Sequence, residues 1–95
     1  MKKAYVIGNI TVKDIEKWDE YRSKVPDTLS SWGANLVFRG KLNSILTGNQ
    51  NHNDTVVICF PNLQSVNDWY TSSQYQALIP LREKAADIDL LVYEE

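Results

Sequence analysis

The sequence predicts one α+β domain in which four strands form a sheet and helices cover one of its faces. Three observations predict this class. The chain of 95 residues suits a single domain. Strand-like apolar runs and segments of helical period follow one another in the order βαββαβ. No linker, repeat or low-complexity segment divides the chain, and 43% hydrophobic against 23% charged residues is typical of a folded protein.

The first strand and the first helix are marked by composition and period. Residues 4–12 are rich in β-branched and aromatic side chains, which favour a strand, and Asp14 then offers a carboxylate to cap a helix. Pro26 lacks a backbone donor and crowds the preceding turn, so we expect a kink or a break near Val25 and an end at Gly33. Apolar residues at steps of three and four form the buried face of this helix: Ile15, Trp18, Tyr21, Val25, Leu29 and Trp32.

The middle of the chain predicts a pair of strands joined by a polar loop. Residues 36–40 form the second strand, 44–47 a short extension or hairpin arm, 48–54 an exposed loop and 55–60 the third strand.

The last third predicts a broken helix and a final strand. Asn62 caps a helix whose buried face carries Trp69 and Tyr70, and residues 71–73 and Pro80 interrupt it. Residues 88–93 form the fourth strand. The resulting order is that of a ferredoxin-like two-layer sandwich.

Alternation along the strands separates two sheet faces. One is almost wholly apolar and should meet the helices: Val6, Ile10, Leu36, Phe38, Val56, Ile58, Phe60, Leu90 and Val92. The other is too apolar for free solvent: Tyr5, Ile7, Asn9, Val37, Arg39, Val57, Cys59, Leu91 and Tyr93. Because a bare apolar patch of this kind usually marks an interface or a ligand groove, we predict a face-to-face homodimer with Asn9, Arg39 and Cys59 near the enclosed space.

Charge and cysteine content exclude several classes of partner. A net charge of -2 and a pI of about 5.3 disfavour nucleic acid and anionic membranes. The single cysteine, Cys59, cannot form an internal disulfide, and no signal-peptide pattern is present, so a cytoplasmic location is expected. No spacing fits a metal site or a phosphate loop, and no fixed cofactor is expected.

Several residues are candidates for binding a ligand, each with a structural alternative. Arg39 would hold an anion, pair with Asp89 or Glu94, or lie at the rim of the sheet with its charged end in water. Arg82 would likewise hold a carboxylate or serve structure alone. Tyr70 and Tyr75, on either side of the helix break, would wall a pocket or simply fill the core.

Two further residues carry weaker hypotheses. Cys59 would be a nucleophile only with a lowered thiol pKa, and no nearby His or Lys provides one, so packing is favoured. His52 lies among asparagines and is expected to be a solvated loop residue rather than a general base.

The chain resembles a known family in several segments: Tyr21-Arg22, Val25-Pro26, Arg39-Gly40, Phe60-Pro61 and, above all, residues 69–82 with the sequence WYTSSQYQALIPLR. These resemble a family catalogued as a domain of unknown function, number 1330, over nearly the whole chain. The resemblance implies the dimeric α+β barrel superfamily, in which two ferredoxin-like sheets pair. That superfamily includes cofactor-independent monooxygenases, lactone isomerases and haem-degrading proteins.

The chain departs from the usual family pattern at two places. Trp32-Gly33-Ala34 stands where relatives have His-Gly-Gly, and Cys59 stands where they have a glutamate. Both changes remove ionisable groups, which puts shared acid–base chemistry in doubt.

Three functions follow as hypotheses. The first is binding, with or without conversion, of a small aromatic or carboxylate compound without a fixed cofactor, anchored by Arg39 and Asn9. The second is a non-catalytic dimeric module that binds or regulates another protein. The third, RNA recognition, lacks the aromatic pair and the basic surface that it requires.

Overall fold

The computed structural model describes residues 2–95 and confirms the predicted fold class and order of elements. The strands are β1 Ala4–Val12, β2 Asn35–Lys41, β3 Asp54–Phe60 and β4 Ala86–Glu94, and the helices are α1 Ile15–Leu29, α2 Leu63–Thr71, α3 Ser73–Gln76 and α4 Ile79–Ala85. The strands form one antiparallel sheet in the order β2-β3-β1-β4, which leaves β2 and β4 at its edges. All four helices cover the same face. We term the other side the open face; it carries Tyr5, Ile7, Asn9, Phe38, Val57, Cys59, Leu91 and Tyr93.

The predicted helix caps are present. The Asp14 carboxylate accepts a hydrogen bond from the Lys17 backbone N–H at 3.2 Å, and the Asn62 side-chain oxygen accepts one from the Ser65 N–H at 2.8 Å. Such caps satisfy backbone donors that have no partner within the helix. The Lys17 N–H also holds the pKa of the Asp14 carboxyl below its usual value.

Of the kink or break expected near Val25, the break is wrong. Helix α1 runs through Pro26 to Leu29, and a single 3-10 turn over Ser30–Trp32 follows. Val25, Thr28 and Leu29 on either side of the proline are all buried, so packing against the core outweighs the lost backbone hydrogen bond. Gly33 ends the element with φ of 69°, a left-handed conformation that glycine adopts without strain.

The predicted strand arm at residues 44–47 is also wrong. These residues form no strand and lie in the long loop between β2 and β3, where Leu46 is 98% exposed. Two other apolar side chains of this loop, Leu42 and Ile45, are about half exposed.

A β-bulge in β2 reverses the predicted orientation of two side chains. Leu36 pairs with Ile58, but Phe38 pairs with the next residue, Val57, so Val37 is an extra residue in the strand. Because side chains alternate along a strand, one inserted residue exchanges the faces beyond it. Arg39, predicted on the open face, therefore lies opposite Val56 on the helix side, and Phe38, predicted in the core, lies on the open face.

The core lies between the sheet and the helices, and aromatic rings fill its centre. Phe60, Trp69 and Tyr75 are each at most 2% exposed, and the Trp69 ring lies 4.3 Å from Tyr75 and 5.4 Å from Phe60 between centroids. Such pairs add to the stabilisation from buried area. Gly8 on β1 leaves the space that Val56 and Leu90 fill, since a Cβ there would lie 2.9 Å from Val56.

Candidate functional site

The bulge in β2 places Arg39 in a pocket between α1 and the sheet. Trp18 and Arg22 lie one helical turn apart on α1 and form one wall, while Arg39 comes from β2. The cavity has a volume of about 310 Å³. Its lining consists of Ile10, Trp18, Arg22, Arg39, Gly40, Lys41, Asp54 and Thr55. We term it the arginine pocket.

The arginine pocket has a positive electrostatic potential. Burial and the nearby positive charge of Arg22 both lower the pKa of Arg39. Lys41 is matched by Asp54 at 3.6 Å, and Arg22 has only a distant partner, Asp19, at 4.0 Å. Like charges held together are destabilising, and an anion placed between two guanidinium groups relieves their repulsion. The pocket therefore suits a negatively charged group, with the Trp18 ring beside it.

A second cluster joins three of the predicted site residues. Arg82 is only 8% exposed, and its Nη1 donates to the Tyr75 hydroxyl at 3.1 Å and to the Tyr70 hydroxyl at 3.5 Å. The Tyr75 and Tyr21 hydroxyls are hydrogen-bonded at 2.7 Å. The Arg82 Nη2 donates to Glu83, which is largely exposed, at 3.0 Å. This tyrosine–arginine cluster ties α1, α3 and α4 together.

The electrostatics of this cluster favour a mainly structural role. Burial and the neighbouring Tyr75 raise the pKa of Tyr21 well above its usual value, so it remains a neutral phenol. For Arg82, burial lowers the pKa, but hydrogen bonds to Tyr70 and Tyr75 outweigh burial and raise it overall. A buried arginine needs hydrogen-bond partners; the phenols accept from Nη1, whereas the buried Nε has no partner among the described residues. Tyr70 and Arg82 also line an open cleft of about 350 Å³ beside β4.

The other two predicted site residues, Asn9 and Cys59, lie on the open face. Cys59 is half-buried opposite Tyr5, and the Asn9 side-chain oxygen accepts a hydrogen bond from the Thr55 hydroxyl at 3.3 Å. The predicted set is thus divided among three places: Arg39 in the arginine pocket, Tyr70, Tyr75 and Arg82 in the tyrosine–arginine cluster, and Asn9 and Cys59 on the open face.

His52 was expected to be a solvated loop residue, and this prediction is wrong. The loop folds back over the open face, and the His52 side chain is only 14% exposed. Its Nδ1 lies 2.9 Å from the Thr11 hydroxyl, and its Nε2 lies 2.9 Å from an Asp89 carboxylate oxygen. The pairing of β1 with β3 was the available signal, because extending it by two residues brings His52 beside the end of β1.

Arg22 was missed as a site residue because sequence reasoning placed Arg39 on the opposite face. The helical period puts Arg22 four residues after Trp18, so the two lie on neighbouring positions of α1. A correct position for the bulge would have identified the pair.

In residues 2–95, no three His, Cys, Asp or Glu side chains come together as a metal site. Over the same range, no helix is long and apolar enough to span a bilayer.

Solved structures of similar fold match nearly the whole chain. A protein of unknown function from Rhodopseudomonas palustris superposes with a TM-score of 0.82 at 13% identity, over 98% of this chain and 82% of that one. A dimeric ferredoxin-like protein of unknown function from Jannaschia sp. CCS1 gives 0.78 at 8% identity, over 98% and 99%. SnoaB, a cofactor-independent oxygenase from Streptomyces nogalater, gives 0.69 at 7% identity, over 98% and 92%. At these identities the likeness shows the fold alone.

Comparison with known sequences, unlike comparison with known structures, gives one match, to a family profile. No curated protein sequence has significant similarity to this chain. The profile of one family, described as a domain of unknown function (DUF1330), matches residues 3–95. The chain belongs to this family.

Proposed function

We propose that this protein is a homodimeric binding protein for a small carboxylate compound with an aromatic or apolar body, and that the arginine pocket is its binding site. The observation that carries the proposal is the β-bulge at Val37, which turns Arg39 away from the open face and towards Arg22. Bulges that re-aim a side chain are frequent beside functional sites.

The arginine pocket contains the two kinds of group that such a ligand requires. Arg22 and Arg39 present guanidinium groups, which bind a carboxylate through paired hydrogen bonds. Trp18 and Ile10, only 5% and 1% exposed, form the apolar floor against which the body of the ligand would lie. A volume of about 310 Å³ suits a compound the size of a substituted benzoate.

The tyrosine–arginine cluster stabilises the position of helix α1, which forms one wall of the arginine pocket. The positive charges of Arg82 and Arg39 both act to lower the pKa of the Tyr21 hydroxyl, against the larger effect of burial. Helix α1, which carries Trp18 and Arg22, is fixed against α4 through this cluster. A rigid support of this kind keeps a binding constellation in place.

Two copies of the chain would cover the open face. This face exposes large apolar side chains, with Phe38 50%, Leu91 42% and Tyr93 53% exposed. Two neighbours in fold are described as dimeric ferredoxin-like proteins, which supports a second copy as the occupant. The half-buried free thiol of Cys59 suits a reducing compartment, and the cytoplasm remains our proposed location.

The ligand proposal is tested by calorimetric titration with benzoate, 4-hydroxybenzoate and indole-3-acetate, with benzamide as the uncharged match for benzoate. We expect at least one carboxylate to bind, and benzamide to bind at least about tenfold more weakly, which corresponds to about 1.4 kcal/mol. Arg39→Gln and Arg22→Gln should each weaken binding by a similar factor. Lys24→Gln is the matched control, because Lys24 lies on the same helix and pairs with Glu20 at 2.9 Å.

Two results would refute the ligand proposal. One is the absence of heat and of any rise in melting temperature with all three carboxylates. The other is equal affinity in the wild type and in Arg39→Gln.

The dimer is tested separately by light scattering behind a sizing column. We expect twice the chain mass of 10.9 kDa for the wild type, and a monomer for Val57→Glu, which places a charge in the middle of the open face. A wild-type monomer at micromolar concentration would refute the dimer and leave the ligand proposal to its own test.

A further inference from the structure

The open face carries a second constellation of polar groups, on the other side of strand residues that it shares with the arginine pocket: Gly40, Lys41, Asp54 and Thr55 line both cavities. Thr11 of β1, His52 of the loop before β3 and Asp89 of β4 form a continuous hydrogen-bonded chain with two distances of 2.9 Å. The three residues come from three separate segments of the chain. Only the fold of the loop brings them together.

The loop that carries His52 is fixed by backbone hydrogen bonds. The Asn53 N–H donates to the Ile10 carbonyl at 3.1 Å, and the Leu42 N–H donates to the Asn53 carbonyl at 2.7 Å. The His52 N–H donates to the side-chain oxygen of Gln50 at 3.1 Å. The imidazole is therefore held over β1 and is not a freely moving loop side chain.

Asp89 determines which ring nitrogen of His52 carries the proton. An ionised carboxylate only accepts hydrogen bonds, so Nε2, which faces Asp89, must be the N–H of the neutral ring. Nδ1 then holds the free lone pair and accepts from the Thr11 hydroxyl.

His52 also lines a pocket. The cavity on this side has a volume of about 320 Å³. Its lining consists of Asn9, Phe38, Gly40, Lys41, Leu42, Asn43, Gln50, His52, Asn53, Asp54 and Thr55. The amide side chains of this lining donate and accept hydrogen bonds without a formal charge, and Phe38 supplies a flat apolar surface.

The charges around the pocket are matched in pairs. Lys41 pairs with Asp54 at 3.6 Å, and Lys13 pairs with Asp87 at 3.4 Å on the same face of β4. Asp89 is thus the carboxylate that faces His52, and β1 contributes the uncharged Thr11. A pocket of this kind favours a neutral, polar ligand.

We propose that His52 is the proton acceptor of an acid–base site on the open face, that Asp89 is its positioning residue, and that the ligand is a small neutral carbonyl compound. The ligand's carbonyl lies against the amide side chains. The Thr11 hydroxyl, which does not itself line the cavity, turns away from Nδ1 so that the ligand's acidic C–H reaches this nitrogen. The C–H bond breaks, its proton bonds to Nδ1, and the electron pair stays on the ligand as an enolate. The proton returns from Nδ1 to the enolate oxygen or to a carbon, so the reaction is an isomerisation and needs no oxidant.

The test uses hydroxyacetone as the probe, because it is small and neutral and has acidic C–H groups beside a carbonyl. Exchange of these hydrogens with deuterium from the solvent is followed by proton NMR. We expect the wild type to accelerate exchange at least tenfold over His52→Gln at equal concentration. Asp89→Asn should lower the rate, because the ring then loses the partner that fixes its tautomer. Asp87→Asn is the matched control, since this aspartate lies on the same strand and pairs with Lys13 instead.

A second measurement does not depend on the probe. The chain has one histidine, so nitrogen NMR reports the tautomer of His52 without ambiguity. We expect the Nε2–H tautomer in the wild type and a mixture of tautomers in Asp89→Asn. Equal exchange rates in the wild type and in His52→Gln would overturn the proposal, and so would an Nδ1–H tautomer in the wild type. A His52→Gln variant that only loses stability would show that the residue does no more than fasten the loop.

Discussion

Tyr75→Phe is the substitution that tests the tyrosine–arginine cluster most directly. It removes one hydroxyl that lies at the centre of two hydrogen bonds, one from the Arg82 guanidinium at 3.1 Å and one with Tyr21 at 2.7 Å. The ring itself stays in the core, where Tyr75 is fully buried. The change therefore removes polar contacts and leaves the packing intact.

The expected loss follows from the partners that remain. Arg82 Nη1 keeps only the Tyr70 hydroxyl, at the long distance of 3.5 Å, and the Tyr21 hydroxyl loses its partner in the core. A hydrogen bond from a charged group contributes about 1.5–3 kcal/mol and a neutral one about 1 kcal/mol. We expect Tyr75→Phe to lower the free energy of unfolding by about 2.5–4 kcal/mol.

Tyr21→Phe is the matched control for this prediction. It removes only the neutral hydrogen bond and leaves Arg82 bound to Tyr75, so about 1 kcal/mol is expected. Both variants and the wild type are unfolded with urea and followed by circular dichroism, at one protein concentration because association changes apparent stability. A Tyr75→Phe variant within about 0.5 kcal/mol of the wild type would refute the reasoning, as would equal losses in the two variants.

Three further predictions concern the core and the first helix cap. Thr28→Val should lower the free energy of unfolding by about 1–3 kcal/mol. The Trp69 indole N–H donates to the Thr28 hydroxyl at 3.0 Å and would be left unpaired in the core. Urea unfolding measures the loss, and an unchanged free energy of unfolding would contradict this prediction. Gly8→Ala should cost about 1–3 kcal/mol, because its Cβ would lie 2.9 Å from Val56; an unchanged melting temperature would show that Val56 moves aside freely. The lowered pKa of Asp14 means that its contribution to stability is present at neutral pH and is lost as the pH falls below the unfolded value of about 3.9. Asp14→Asn should therefore reduce the loss of stability between pH 5 and pH 2, approximate limits set by that value, and an unchanged acid profile would contradict the assignment.

The sequence by itself determined the fold class, the order of elements and both predicted helix caps. Periods of two and 3.6 residues are properties of the chain, and Asp14 and Asn62 act within three residues of their own position. The sequence also identified Tyr70 and Tyr75 on either side of the helix break and, separately, Arg82; that the three side chains meet was shown only by the tertiary structure.

Only the tertiary structure decided which way Arg39 points and what His52 contacts. The bulge at Val37 depends on how β2 registers against β3, and no local pattern specifies an extra residue in a strand. His52 meets Thr11 and Asp89 across 41 and 37 positions of the sequence, which requires the loop to fold over a sheet already formed. Both candidate sites therefore rest on pairings between distant segments, and their geometry is fixed by strand register rather than by residue type.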